Sequence, residues 1–166
     1  MGDSEILVRC AEPGDMASIV GLWRKLSEER AKADRRYAIR PDAPSIWEEW
    51  ARERLRDGSS IVLVAQDGDG YIGYLVGYVA ESKPIYEQRH YARISDLFIS
   101  PECRRKHLGT KLVEEAVQFF RGRDLRYVCI NVQVGFDPFY AFCEKLGFGD
   151  DIVHNSLVGM AMWKQL

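Results

Sequence analysis

No stretch of this sequence is apolar for long enough to cross a bilayer: the longest runs, Ile61 to Ala65 and Phe139 to Cys143, fall far short of the roughly 20 residues that a spanning helix needs. An excess of basic charge is missing too. The 23 Lys and Arg stand against 25 Asp and Glu, a formal net charge of −2, which argues against a nucleic-acid binder. Cysteine is sparse, and Cys10, Cys103, Cys129 and Cys143 lie far apart without a C-x-x-C pair, so neither a zinc site nor a secreted disulfide framework is expected and no metal is implied. They read as reduced thiols, mostly buried. The N-terminus, Met1-Gly2-Asp3-Ser4-Glu5, lacks the basic and then apolar pattern of a signal peptide, which makes the cytoplasm the expected location. No repeat, low-complexity tract or Pro/Ser-rich linker interrupts the 166 residues, so 1–166 reads as a single domain. Within it, 46% apolar and 29% charged residues suit an ordinary globular fold with one substantial core.

Periodicity then orders the chain. Ile6 to Cys10 reads as a short strand, followed by the turn Pro13-Gly14-Asp15, with Asp15 as N-cap of a helix carrying Met16, Ile19, Val20, Trp23 and Leu26 at helical spacing and fading near Ala33. A second helix is expected from Ser45 to Arg56, capped by Ser45, stopped at Asp57-Gly58 and anchored by Trp47 and Trp50. Ile61 to Gln66 and Tyr71 to Ala80 flank Asp67-Gly68-Asp69-Gly70 as a hairpin, and Tyr91 to Ser100 is a further strand stopped by Pro101. Gly109 opens a helix with the stripe Leu112, Val113, Ala116, Val117 and Phe120. Tyr127 to Val134 alternates as a half-buried strand, a short helix spans Pro138 to Leu146, and Val158 to Trp163 closes the order β α α β β β α β α β. That order belongs to a three-layer α/β/α sandwich with a mixed, mostly antiparallel sheet.

The segment richest in chemistry is Ile94-Ser95-Asp96-Leu97-Phe98-Ile99-Ser100-Pro101-Glu102-Cys103-Arg104-Arg105-Lys106-His107-Leu108-Gly109-Thr110, which joins a strand to a helix. Backbone N–H groups of such a turn converge with the unpaired donors of the helix's first turn, and Arg104, Arg105 and Lys106 add positive charge. A phosphate-bearing ligand is the natural occupant. Gly109 would let the backbone come close to it, and the Thr110 hydroxyl offers one more donor. The alternative is a basic loop standing in solvent.

Arg104-Arg105-Lys106-His107-Leu108-Gly109 resembles the acetyl-CoA-binding motif of the GNAT superfamily of N-acetyltransferases, approximately [RQ]-x-x-G-x-[GA] after a strand and a Pro. A second stretch, Phe142-Cys143-Glu144-Lys145-Leu146-Gly147-Phe148, resembles the family's aromatic-Tyr-Glu-Lys-Leu-Gly-Phe ending of the following helix. The element order fits as well, so the resemblance covers essentially the whole chain. It implies a sheet splayed at its centre, between the strand ending at Ser100 and the one at Tyr127 to Val134. The backbone of Leu97, Phe98 and Ile99 would pair with the pantetheine arm and acetyl group. The loop from Arg104 through Arg105, Lys106, His107, Leu108 and Gly109 to Thr110 would cradle the pyrophosphate. Acetyl-CoA is then the cosubstrate, an amine the acceptor, and a homodimer is possible.

Three positions depart from the pattern. His107 stands at the loop's middle glycine, so the loop is expected to differ slightly, with the imidazole either donating to a phosphate or pointing outward. Cys143 replaces the Tyr that protonates the departing thiolate in many relatives; it either keeps that role or packs, and Tyr140, one turn earlier, is the other candidate acid. Phe136 occupies the place of a pantetheine-binding Asn. For the general base, Arg93 and Ser95 stand where relatives often carry Glu, so Asp96 is the nearest carboxylate, with Glu81, His90 or a water chain as alternatives. The early helices, the loop Asp34 to Tyr37 and the connection Glu81 to Tyr91 would bind the acceptor. The expected activity is acetyl transfer to a primary amine of a small molecule, peptide or protein by direct attack. The rivals are transfer of another short acyl group, a non-catalytic acyl-CoA-binding module, and a nucleic-acid module using residues 104–107.

Overall fold

The computed structural model describes residues 6–133, 137–150 and 159–166. Its strands are β1 Leu7–Cys10, β2 Ser60–Asp67, β3 Gly70–Glu81, β4 His90–Ile99, β5 Tyr127–Gln133, β6 Gly149–Asp150 and β7 Gly159–Gln165. The helices are α1 Met16–Ala33, α2 Ala43–Arg56, α3 Leu108–Arg121 and α4 Asp137–Lys145. All seven strands join one sheet in the order β1-β2-β3-β4-β5-β7-β6. Among the described residues only β4 and β5 run parallel; every other neighbouring pair is antiparallel. The three-layer α/β expectation therefore holds, with β6 as an added two-residue strand that no alternating pattern announces.

Two cores sandwich the sheet. The α3 stripe of Leu112, Val113, Ala116, Val117 and Phe120 is buried against Ile61, Leu63, Leu75, Ile94, Val128, Ile130 and Val132 on one face. On the other, α1 sends Met16, Ile19, Trp23 and Leu26 onto Val62, Val64, Tyr74 and Val76. Trp47 of α2 locks the second layer, stacking on Trp23 at 5.1 Å and meeting Tyr74 edge-on at 5.9 Å. Among the described residues no helix is long and apolar enough to cross a membrane.

One cap differs from the sequence reading. Helix α2 starts at Ala43, with Pro44 in its first turn and Asp42 as N-cap, so Ser45 lies inside the helix rather than capping it. Asp15 is the N-cap residue of α1, as expected, but its carboxylate makes no hydrogen bond to that helix. It is drawn instead into a buried knot, accepting from Arg9 at 2.6 and 2.9 Å, from the Glu12 N–H at 2.7 Å and from the Tyr71 hydroxyl.

That knot predicts an acid sensitivity. The Arg9 guanidinium, chiefly, with Tyr71 and the Glu12 amide, holds the Asp15 carboxyl far below the ordinary carboxylate range despite its burial. A carboxyl lowered by folding contributes stability that is complete above its unfolded pKa of about 4 and is lost as pH falls toward the folded value. Asp15→Asn is therefore expected to cost about 2 kcal/mol at pH 7 and progressively less below pH 4. Urea midpoints of both proteins at pH 7 and pH 3 check this. Equal losses at the two pH values would mean that the charge of Asp15 is not what matters.

Candidate functional site

β4 and β5 pair only at Ala92↔Val128, Arg93↔Cys129 and Ile94↔Ile130, although β4 continues to Ile99 and β5 to Gln133. Past that rung the strands part. On its other side β4 stays paired with β3 as far as Ile99↔Gly73, so one edge of residues 95–99 carries backbone N–H and C=O groups that no strand takes up. At the parting point Ser95 is the extra residue of a β-bulge, since Val76 pairs with Asp96 and Gly77 with Ile94. The bulge exchanges the faces. Ala92 and Ile94 point into the α3/α4 core, whereas Asp96 and Phe98 point toward α1 and α2, and Leu97 and Ile99 pack on the α3/α4 side.

Immediately beyond β4 the basic loop turns into α3. Arg105 and His107 both have left-handed backbone, with φ of 64° and 59°. The first backbone bond of α3 runs from the Lys111 N–H to the His107 carbonyl at 3.0 Å, leaving the N–H groups of Leu108, Gly109 and Thr110 without partners in the helix. Arg105, Lys106 and His107 are exposed, Leu108 is buried, and Gly109 and Thr110 are half-buried. Arg104 is engaged elsewhere: its guanidinium grips Glu29 of α1 at 2.7 and 2.8 Å, and its Nε donates to the Ile99 carbonyl at 2.8 Å. Gly109 has a packing reason of its own, since a Cβ there would stand 3.2 Å from the Phe142 ring of α4.

The candidate catalytic side chains sit in different settings. Asp96 is buried, 3.5 Å from an Arg30 guanidinium nitrogen, and accepts from Ser95 Oγ at 3.0 Å. Burial, the largest influence, pushes its carboxyl above the ordinary value against the pull of Arg30, Ser95 and Trp47. Cys143 is fully buried in the α3/α4 core, and desolvation pushes its thiol up to about 12. Tyr140 is half-buried on α4 at the margin of the same core. Glu81 and His90 lie 3.4 Å from each other at the opposite end of β4 from the basic loop, away from the parting strands. Phe136 and Val134 fall outside the described residues. Among the described residues, no group of His, Cys, Asp and Glu could hold a metal ion.

A model of the acetyltransferase (GNAT) family matches residues 22–148, more than half of the chain. The chain belongs to that family. An uncharacterized N-acetyltransferase of Archaeoglobus fulgidus is 29% identical over 116 residues, covering 68% of this chain and 71% of that protein. Another, from Methanocaldococcus jannaschii, is 26% identical over 99 residues, 60% of this chain, and the match spans only 42% of the relative's length. PaiA N-acetyltransferase of Thermoplasma acidophilum in complex with coenzyme A superposes with a TM-score of 0.77 at 16% identity, covering 98% of this chain and 99% of that one. A predicted acetyltransferase of Clostridium acetobutylicum with acetyl-CoA gives 0.77 at 16% identity, covering 92% and 96%. These likenesses establish the fold.

The loop holds a left-handed residue at position 107, a conformation that glycine adopts without steric cost. His107 takes that conformation at φ 59°. His107→Gly should therefore stabilise the protein by about 0.5–1 kcal/mol, and His107→Val should cost at least as much, read as shifts in urea midpoint. Both variants falling on the destabilised side would remove backbone strain as the explanation. Arg30, Gln133 and Glu29 converge around the parting strands, and no motif in the sequence marks them. Arg30 carried a readable sign, for it continues the apolar stripe Ile19, Trp23, Leu26 at helical spacing, where a charge is out of place unless it has a partner.

Proposed function

We propose that this protein transfers an acetyl group from acetyl-CoA to a primary amine by direct attack within a ternary complex. The observation that carries the reading is the opening between β4 and β5 lying directly before a cationic loop and the free N-terminus of α3. Those residues fit the cosubstrate: the open edge of 97–99 can pair with an amide-bearing arm, and the N–H groups of 108–110 with Arg105 and Lys106 suit a pyrophosphate. Acetyl-CoA supplies the activated thioester. A backbone N–H on the open edge of β4 would hold the thioester oxygen as negative charge grows on it. Asp96, on the opposite face of the opening, would take the amine proton directly or through water. Its raised carboxyl pKa makes it a stronger base than an exposed aspartate.

For the departing thiolate, Tyr140 is the better proton donor. A thiol at about 12 gives up its proton reluctantly to a sulfur whose own pKa lies near 8.5. Thermal shift with acetyl-CoA, CoA and dephospho-CoA tests the site, and a ligand at 100 times its Kd should add about 2.7 kcal/mol of stability. Thiol release with a panel of amines then tests transfer. Tyr140→Phe should slow it about tenfold and Cys143→Ala much less. Stabilisation without release from any amine would mark a non-catalytic acyl-CoA-binding module, and no stabilisation would refute the site itself.

A further inference from the structure

The face of the opening that looks toward α1 and α2 carries an ordered set of charges. Arg93 is half-buried on the last paired rungs of β4 and β5, and its guanidinium donates across the gap to Asn131 Oδ1 at 3.1 Å. Among the described residues Arg93 meets no carboxylate, so most of its five donors are uncommitted. Past the bulge, about 10 Å along the strand, comes Asp96. Two buried acceptor atoms accompany it without hydrogen-bond partners: Tyr74 Oη, on a side chain with no exposure, and Oε1 of Gln133, whose Nε2 donates to the Arg30 carbonyl at 3.1 Å. The strip thus offers cationic donors at one end and a carboxylate with unused oxygen acceptors at the other.

We propose that the acceptor is an amine that also carries a carboxylate, of the amino-acid type. Its carboxylate lies against Arg93 and the free amide N–H groups of Asn131, and its nitrogen lies toward Asp96 and Gln133 Oε1. Arg30 stands 3.5 Å from Asp96 and Arg104 takes up Glu29, so among the described residues a second positive charge on the acceptor meets no carboxylate without an arginine partner here. A diamine is therefore disfavoured and a zwitterion favoured. The inference rests on the acetyl-transfer reading, because it takes this face as the side from which the amine arrives.

The test uses the protein loaded with CoA, so that no turnover is needed. Thermal shifts are titrated with matched probes: glycine, β-alanine, γ-aminobutyrate and L-lysine, each beside its carboxamide, with putrescine as the diamine. At least one carboxylate-bearing amine is expected to reach half-maximal stabilisation at a concentration at least tenfold lower than its amide and than putrescine. In Arg93→Ala that preference disappears while the shift produced by CoA alone is unchanged, and Arg93→Lys restores part of it. A preference for the amides or for putrescine, or no stabilisation by any acid, overturns the proposal while leaving acetyl-CoA binding intact. A protein that fails to respond to CoA in the first place refutes the parent reading instead.

Discussion

Replacing both Arg105 and Lys106 by glutamate is expected to weaken acetyl-CoA binding about 100-fold or more while leaving the melting temperature of the free protein nearly unchanged. The two side chains are exposed and, among the described residues, form no ion pair, so the fold does not depend on their charge. Reversal changes the local charge by four units beside a bound polyanion. At about 0.7 kcal/mol per unit in a largely solvated setting, the loss comes to about 3 kcal/mol, or two decades in Kd. Titration calorimetry at two salt concentrations supplies a second readout: the wild-type affinity should fall as salt rises, and that of the variant should respond far less or in the opposite sense. Affinity within threefold of wild type would mean that the phosphates do not lie on this loop. Arg104→Gln makes an instructive contrast. Its guanidinium is bound to Glu29 and Ile99, so its loss should loosen the end of α1 from the β4 turn rather than remove a phosphate ligand.

Much of this was legible in the sequence because local chemistry dictated it. The turn at Asp67-Gly68-Asp69-Gly70 joins β2 to β3 with Gly68 at φ 56°, the α3 stripe is buried as its spacing required, and the aromatic anchors of α2 pack where they were placed. Hidden features came from long-range pairing. Strict alternation treats Ile94 and Asp96 as neighbours on one face, and only the β3 register shows that Ser95 is extruded and that the two residues point to opposite layers. The opening is a pairing that stops; the family resemblance implied it, whereas the apolar and polar residues of β5 alternate in sequence straight through the rung where it parts from β4. Asp15 looked like a cap from its neighbours in sequence. Arg9 and Tyr71, the latter 56 residues away, decided its use. Gly109 also lies against Phe142, from a helix thirty-odd positions later, a contact that no local pattern announces.

Gly73→Val should be among the most disruptive single changes in the protein, costing about 3 kcal/mol or more. Gly73 lies in the middle of the sheet, paired with Ala65 on β2 and with Ile99 on β4. A Cβ there would come within 2.5 Å of Ile99 Cδ1 and 2.9 Å of the Phe98 carbonyl oxygen. The isoleucine tip can rotate away, but the carbonyl belongs to a strand bound to β3 on one side, and it yields only if that ladder opens. The backbone that would have to move is residues 98–99, the same segment whose free edge is proposed to hold the acyl arm. Stability and cosubstrate binding should therefore fail together, with Gly73→Ala intermediate in both. Urea denaturation followed by tryptophan fluorescence gives the first quantity, since Trp47 meets Tyr74, the next residue on β3. Titration with acetyl-CoA below the unfolding midpoint gives the second. A Gly73→Val protein that kept its stability would show that β3 and β4 do not approach as closely here as their register requires. One that lost stability but bound acetyl-CoA normally would separate the central ladder from the site and move the acyl arm away from residues 97–99.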